Sequence, residues 1–561
     1  MQIRAPDLHE QQLMELHAMS QKEYRKKFLF IDDSSVVETE NLRRTTNQAV
    51  KHPEPIMVPD APWDTKDVYF NGRNVLYDPR DKLFKMWYAV SEEMKGWGAT
   101  ESKTAYATSE DGIHWERPIL NRVEHRGSTA NNYILPAELE SFGPAILIDP
   151  GEPDSRRFKM IFACADAYGS GHTVDWARHH SSLNLACSDD GVRWHRPTNV
   201  NPVLRGISDA VFMFFYDIHR RKYQLYTRRV PNLPRDISLY ESFDLINWED
   251  CGRVLVAGDD LDPETLYNIH GITVCEYEGY RLGLLNTMHL HPTSEELGVF
   301  QEPPPEYPDG DKIGLLDLQL GYSIDGRSWH RAHDRSPVIT VGEKGAPDEG
   351  IIIPQCNSPI DVDGETYIYY CGWRGRHTAW SHRKAIEKVN GDVSQTVSGM
   401  LAIMPEDHWV SFDAGAEEGV LLAGPWRELP QSMFINADAK GGSILVEWVD
   451  GYERPIPGFS RAECNPITAN GKDQQVTWKG GAIPSQTMAD YRGAFMTRFI
   501  MKQAKLYSCS LAYSDPDGDR RRYWENLTWN EHLFHRSGQW DRDSNAPAAG
   551  VPPVVRGLKN W

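Results

Sequence analysis

Short apolar runs alternate with polar turns along most of this chain, and the runs have the character of strands. Asn74-Val-Leu-Tyr-Asp78 leads through an Asp/Pro turn into Leu83-Phe-Lys-Met-Trp-Tyr88. Runs rich in β-branched and aromatic residues, bounded by Asp, Pro and Gly, predict antiparallel hairpins. The pair returns as Ala145–Asp149 with Phe158–Phe162, Val211–Asp217 with Lys222–Tyr226, Ile272–Tyr277 with Tyr280–Leu284, and Ser358–Asp363 with Thr366–Tyr370. Successive copies lie roughly 60 to 85 residues apart, long enough for a four-stranded unit with its loops.

A second marker follows most copies: Ser109-x-Asp-Gly-x-x-Trp115, Ser188-x-Asp-Gly-x-x-Trp194, Ser242-x-Asp-Leu-x-x-Trp248 and Ser323-x-Asp-Gly-x-x-Trp329. Asp-Gly suits a tight turn, because glycine takes a positive φ without steric cost. The Ser hydroxyl and Asp carboxylate can satisfy the loose N–H groups of that turn, and the Trp can close the sheet edge. These recurring acids are read as structural. Leu245 replaces the glycine in the third copy, so its turn is expected to differ.

Hairpin-plus-turn units of this kind predict an all-β chain with a five-bladed β-propeller over residues 29–415. The repeat fades after His408–Gly415, and further strands at Gly442–Gly451, Val476–Trp478, Phe495–Ile500 and Ala504–Tyr507 predict a β-sandwich over 416–515. Leu8, Leu13, Leu16 and Met19 share one helical face, which predicts a short N-terminal helical arm over 1–28. Residues 516–561, charged and then rich in Pro and Gly, are expected to form a tail.

Composition narrows the partners. The 561 residues carry a formal net charge of -20, which argues against duplex nucleic acid or an anionic membrane surface. No apolar run approaches the roughly 20 residues of a membrane span, and the first ten residues lack the pattern of a leader. The eight cysteines are scattered without CxxC spacing, as expected of reduced thiols in a cytoplasmic protein. The 18 tryptophans and 24 tyrosines suit sugar rings and sheet cores equally.

Leu29-Phe-Ile-Asp-Asp33, Pro62-Trp-Asp64, Phe84-Lys-Met-Trp-Tyr88, Pro455-Ile-Pro-Gly-Phe459 and Ala504-Lys-Leu-Tyr507 together resemble the five-bladed propeller glycosidases. That superfamily contains the invertases, levanases and arabinanases. Little-characterised invertase-like glycoside hydrolases with a C-terminal sandwich are the most similar branch. The resemblance implies a glycosidase acting on a small glycoside or oligosaccharide, with a furanoside favoured, without cofactor or metal. The invertase Trp-Met-Asn-Asp-Pro-Asn-Gly, Arg-Asp-Pro and Glu-Cys-Pro motifs have no counterpart; Arg235-Asp236 is followed by isoleucine. Site residues therefore follow from position in the repeat.

The start of each blade's first strand should line the channel mouth, near Phe70 and Asn71, Phe142 and Gly143, Asp209, His270, and Gln355 to Asn357. Glycoside hydrolysis needs two carboxyl groups about the scissile bond, and a third acid can tune the donor. Asp64 is the expected nucleophile or base, Asp209 the tuning acid and Glu349 the proton donor, drawn from different blades as the superfamily does. Trp63, His270, Asn357, Trp373, Arg374 and His377 are the expected substrate-binding residues. Trp373 and Trp97 could also be core residues, and Arg374 and Arg376 could bind an acidic sugar or pair with surface acids. His289-x-His291 is a weak metal pattern without a third ligand. Two alternatives stay open: a uronate lyase with His270 or His289 as base, and a non-catalytic glycan-binding propeller.

Overall fold

The computed structural model describes residues 23–514, apart from 65–73, 136–140, 150–153, 165–180, 230–234, 257–265, 290–313, 375–396, 482–493 and a few shorter positions between. The expected helical arm (but for its last residues) and tail, and Phe70, Asn71, Trp97, His291, Arg376 and His377, lie outside the described residues. Nearly every regular element is a strand, and two compact units divide the chain.

The larger unit, residues 48–331 and 337–405 of the described chain, is built from the repeat. The first antiparallel group runs Asn74–Asp78, Leu83–Ser91, Ser102–Ser109, Tyr133–Leu135. The second runs Ser141–Ile148, Phe158–Cys164, Ser181–Ser188, Trp194–His195, and the third Leu204–Asp217, Lys222–Arg229, Ile237–Ser242, Trp248–Leu255. The fourth pairs Leu266–Tyr277, Tyr280–His289, Leu316–Ser323 and Trp329–Arg331. The last pairs Ile351–Pro354, Glu365–Trp373 and Val397–Met404, and takes its outer strand, Val50–Lys51, from far earlier in the chain.

Buried contacts link each group to the next. Asp78, at the end of the first inner strand, is fully buried between Lys85 of its own hairpin and Arg157 of the second group. Asp149 accepts from the Tyr223 hydroxyl of the third group, and Asp217 pairs with Arg281 of the fourth. The fourth meets the last where Asn286 Nδ2 donates to the Ile352 carbonyl at 2.7 Å. Tyr369 of the last group donates to the Gly112 carbonyl of the first at 3.0 Å, which closes the circuit. At the hub, the Phe214 N–H reaches the Cys356 carbonyl at 3.3 Å. There too the Thr273 hydroxyl donates to the Gln355 carbonyl, and the Asn357 amide to that of Ile146. One short segment thus touches the inner strands of three other groups. Only a radial, propeller-like arrangement brings those strands to one axis.

The turn motif is the same in all four copies. The Ser hydroxyl accepts from the backbone N–H three residues on, at 2.8 Å (Gly112) and 2.9 Å (Gly191, Leu245 and Gly326). The Asp carboxylate takes the next two N–H groups, as Asp190 does from Val192 and Arg193 at 2.8 and 2.7 Å. The expectation that Leu245 changes its turn is corrected: Leu245 adopts φ +66, beside +77 at Gly191, and keeps every bond. The reason lies in the preceding group. Trp87 and Tyr226 each stand three residues beyond the register partner of their group's turn serine, and donate to Gly191 and Gly326 of the next turn at 2.6 and 2.9 Å. The equivalent residue of the second group is Ile161, which is short, and Leu245 packs into the same buried cluster with it.

The smaller unit, residues 23–47, 332–336 and 406–514 of the described chain, is the sandwich. One sheet is ordered Leu42–Thr46, Val410–Ala414, Ala504–Ser514, Ser432–Asp438, Asn470–Gln475, with Glu23–Leu29 also paired along Ala504–Ser514. The other is Val36–Glu40, Gly419–Trp426, Phe495–Lys502, Ser443–Val449. Their inner faces share a core of Phe30, Phe412, Met433, Trp448, Phe459, Trp478 and Phe499. The expected boundaries at 28/29 and 415/416 do not coincide with the compact units. Residues 23–46 supply three sandwich strands, because Phe30 buries in this core and the strands on either side find partners in its two sheets.

Candidate functional site

Each inner strand of the larger unit runs into its hairpin turn, so inner strands begin, and second strands finish, at the opposite end. Of the expected site residues, Asp209 and His270 lie near the start of inner strands, Glu349 just before one, and Trp373 and Arg374 where a second strand finishes. Three inner strands break register there: between Phe142 and Ala145, between Ser208 and Val211, and between Ile269 and Gly271. Asp209 occupies the second break and the half-buried His270 the third. Bulges re-aim side chains and are over-represented beside active sites. The Asp209 side chain lies outside the described ones.

Asp64 is the best defined acid. Its side chain is 3% exposed, and Oδ2 accepts the Ala61 N–H at 3.0 Å and lies 3.4 Å from Arg117. Oδ1 is buried with no hydrogen-bond partner among the described residues. Burial pushes the Asp64 carboxyl above the ordinary value of 3.8, and the Ala61 N–H and Arg117 only partly offset it. The carboxyl is thus harder to ionise than an exposed aspartate, while Arg117 stands within ion-pair reach of its ionised form. Arg117 is shared with Asp60 and rests on the Met57 sulfur at 2.9 Å. Trp63 is pinned by Nε1–H donation to Asn132 at 2.7 Å, and Asn132 also donates to the Tyr88 hydroxyl.

A row of backbone bonds ties the fourth and last groups at this end. The His289 N–H donates to Leu315 at 3.1 Å, Leu316 to Gly350 at 3.2 Å, and Gly350 to Trp373 at 2.9 Å. Trp373 faces Val397 in register, and Gly399 on that strand bridges to Met57, under Arg117. The row places His289, Glu349, Arg374 and the Asp64 cluster along one continuous edge. Glu349 gives its carboxylate to the Gly345 N–H, whereas its neighbour Asp348 is buried under Lys51 and Tyr370 at 2.6 and 2.9 Å. Asp348 is therefore the structural half of that pair.

The remaining expected residues divide. Trp373 is 5% exposed, lies in the core, and directs Nε1 at the Cys371 sulfur, so its ring offers no open face to a sugar. Asn357 is buried at the hub, bonded to Ile146. Arg374 is half-buried at the edge of the row.

Two arrangements were not legible beforehand. His289 Nε2 lies 3.0 Å from Asp317 Oδ2, and Thr287 donates to the other carboxylate oxygen. A carboxylate only accepts, so Nε2 carries a proton, and the buried Nδ1 has no hydrogen-bond partner among the described residues. Asp236 is the second arrangement. Burial raises its carboxyl against the opposing arginines 253, 229 and 228, and the adjacent Arg235 N–H donates to Asn268 beside His270 at 2.6 Å. Asp317 begins an apolar strand and Asp236 precedes one, a signal shared with Asp209 that could have singled them out. Glu241, Glu249 and Cys251 offer ligand atoms within 4.8 Å of one another. Lys222, Gln224 and Arg327 already occupy Glu241, and although burial opposes it they hold its carboxyl down at about 2. That makes the group an ion-pair network on outer strands.

No family model matches the chain, and no curated protein matches it in sequence. Among solved structures, a glycoside hydrolase is similar at 14% identity over 64% of this chain and 94% of its own, with a TM-score of 0.41. The Bombyx mori GH32 β-fructofuranosidase BmSUC1 is similar at 12% identity over 91% and 99%, with a TM-score of 0.37. A third comes from the GH130 family of mannoside phosphorylases, which contains glycoside hydrolases that target β-1,2-mannosidic linkages in Candida mannan. It is similar at 14% identity over 64% and 94%, with a TM-score of 0.38. The propeller-like architecture of this chain rests on its own strand pairing and on the contacts that close the ring.

Proposed function

We propose that this protein is a carbohydrate-active enzyme, a glycosidase whose site lies at the strand-start end of a five-bladed propeller. The observation that carries this reading is the Asp64 carboxyl, its side chain buried, raised above the ordinary value by that burial, and with Oδ1 unpartnered among the described residues. Such a group can deliver a proton to a departing glycosidic oxygen. Asp64 is then the proton donor, and Asp209 and Glu349 are the acids from which its ionised partner is drawn. A furanoside or small oligosaccharide is the favoured substrate.

The test is turnover on a panel of aryl furanosides and pyranosides, run with and without inorganic phosphate to separate transfer to water from transfer to phosphate. Asp64→Asn should lower turnover by about 100-fold or more while still unfolding cooperatively, at no lower urea than the parent. Undiminished turnover in a folded Asp64→Asn variant would sink the assignment.

One observation supports a second reading. His289 is oriented by the Asp317 carboxylate through Nε2 and leaves Nδ1 unpartnered among the described residues, an arrangement suited to the general base that a uronate lyase needs. A product absorbing as an unsaturated uronate, lost in His289→Ala and retained in Asp64→Asn, would favour it.

A further inference from the structure

Several buried or half-buried arginines of the larger unit close on carboxylates: Arg157 on Asp78, Arg281 on Asp217 and Arg117 on Asp60. Arg196 and Arg331 bond instead to the side-chain carbonyls of Asn184 and Gln319. Arg374 does neither. Its Nε is buried without a hydrogen-bond partner, and among the described residues no ion pair or hydrogen bond engages its guanidinium. The nearest acids in sequence along the row are committed elsewhere: Glu349 to the Gly345 N–H, Asp348 to Lys51 and Tyr370, Asp317 to Thr287 and His289.

An unpaired, half-buried cation is costly, and it is conspicuous in a chain with 80 acidic against 60 basic residues. Its position follows from the backbone. Arg374 is the next residue after Trp373, whose carbonyl fixes Gly350 at the start of the last inner strand. The guanidinium therefore belongs to the same edge as Glu349 and His289. Its planar fork matches the paired oxygens of a carboxylate or phosphate and has no equivalent preference for a neutral hydroxyl.

We propose that Arg374 forms an oxyanion subsite at the strand-start end of the propeller, taking either a carboxylate on the sugar or free inorganic phosphate. The inference rests on the carbohydrate-active reading for the identity of the ligand, though not for the binding of an anion.

Calorimetric titration of the full chain with inorganic phosphate, with glucuronate and with glucose tests this. Saturable binding of one or both anions, with glucose at least 10-fold weaker, is expected. Arg374→Gln should weaken anion binding about 10- to 100-fold, the worth of a charge-assisted bidentate pair, and Arg374→Lys should fall between. If Arg374→Gln does not fold, Arg374→Lys carries the test, since losing the fork alone should weaken binding. Phosphate binding alone identifies a free phosphate, and glucuronate binding alone identifies the sugar's own carboxylate. Absence of saturable binding by either anion, or an affinity unchanged by the folded variants, overturns the proposal. Anion binding through Arg374 without turnover of any glycoside leaves this subsite standing and removes the glycosidase. Turnover of neutral glycosides without anion binding does the reverse.

Discussion

At the scale of the residue, Asp64 and Asp78 are both buried aspartates, and their surroundings set them apart. Burial opposes ionisation in both, but the Arg157 and Lys85 hydrogen bonds at Asp78 win and hold its carboxyl far below the ordinary range. At Asp64 burial wins and the carboxyl is raised. A raised carboxyl makes its folding contribution below the unfolded value, near 3.8, and loses it as the pH rises through the folded value. Asp64→Asn should therefore unfold at higher urea than the parent at pH 7 to 8, with the gap closing as the pH falls toward 4. A gap that is constant with pH would show that burial does not penalise the ionised acid. The sequence contains the contrast in outline, since Asp78 recurs in the repeat and Asp64 does not. It does not contain Arg117, Tyr88 and Asn132, which come from elsewhere in the first group and assemble around Asp64 only through folding.

At the scale of the element, the four turns show how a repeat tolerates exceptions. A Cβ on Gly191 would lie 2.7 Å from Trp87, so glycine there answers both a positive φ and the indole of the preceding group. At Leu245 the space left by Ile161 is filled by the leucine, at the cost of a positive φ worth about 1 to 2 kcal/mol. Leu245→Gly should relieve that strain but lose a fully buried side chain, which costs about 2.7 to 5 kcal/mol in comparable cores, for a net loss of about 2 kcal/mol. Adding Ile161→Trp should recover part of it by recreating the Trp87–Gly191 pair, and denaturant midpoints of the two single variants and the double variant measure the coupling. The hairpins and their turns were legible because hydrophobic alternation and Asp-Gly chemistry are local. The Leu245 turn was misread because its conformation is set by a side chain more than eighty residues earlier.

At the scale of the whole molecule, the propeller segment lies within the sandwich in sequence. Strands Glu23–Leu29, Val36–Glu40 and Leu42–Thr46 belong with partners at 410–514. A fragment beginning at 416 lacks these strands and Val410–Ala414, so both sheets lose members. It should remain unfolded by circular dichroism, while adding residues 23–47 in trans or by fusion should restore cooperative unfolding. The boundary at 29 was not legible because Phe28–Ile31 reads as a strand in either domain, and only the pairing partner decides. The interrupted order also has a consequence during synthesis. At about 5 to 20 residues per second, the first three strands emerge tens of seconds before their partners. Through that interval the apolar run around Phe30 must stay unpaired outside the ribosome, while the repeats behind it can already fold on contacts with their neighbours. The sandwich is begun first and completed last, so in the cell chaperone dependence should track the first fifty residues more closely than the propeller repeats.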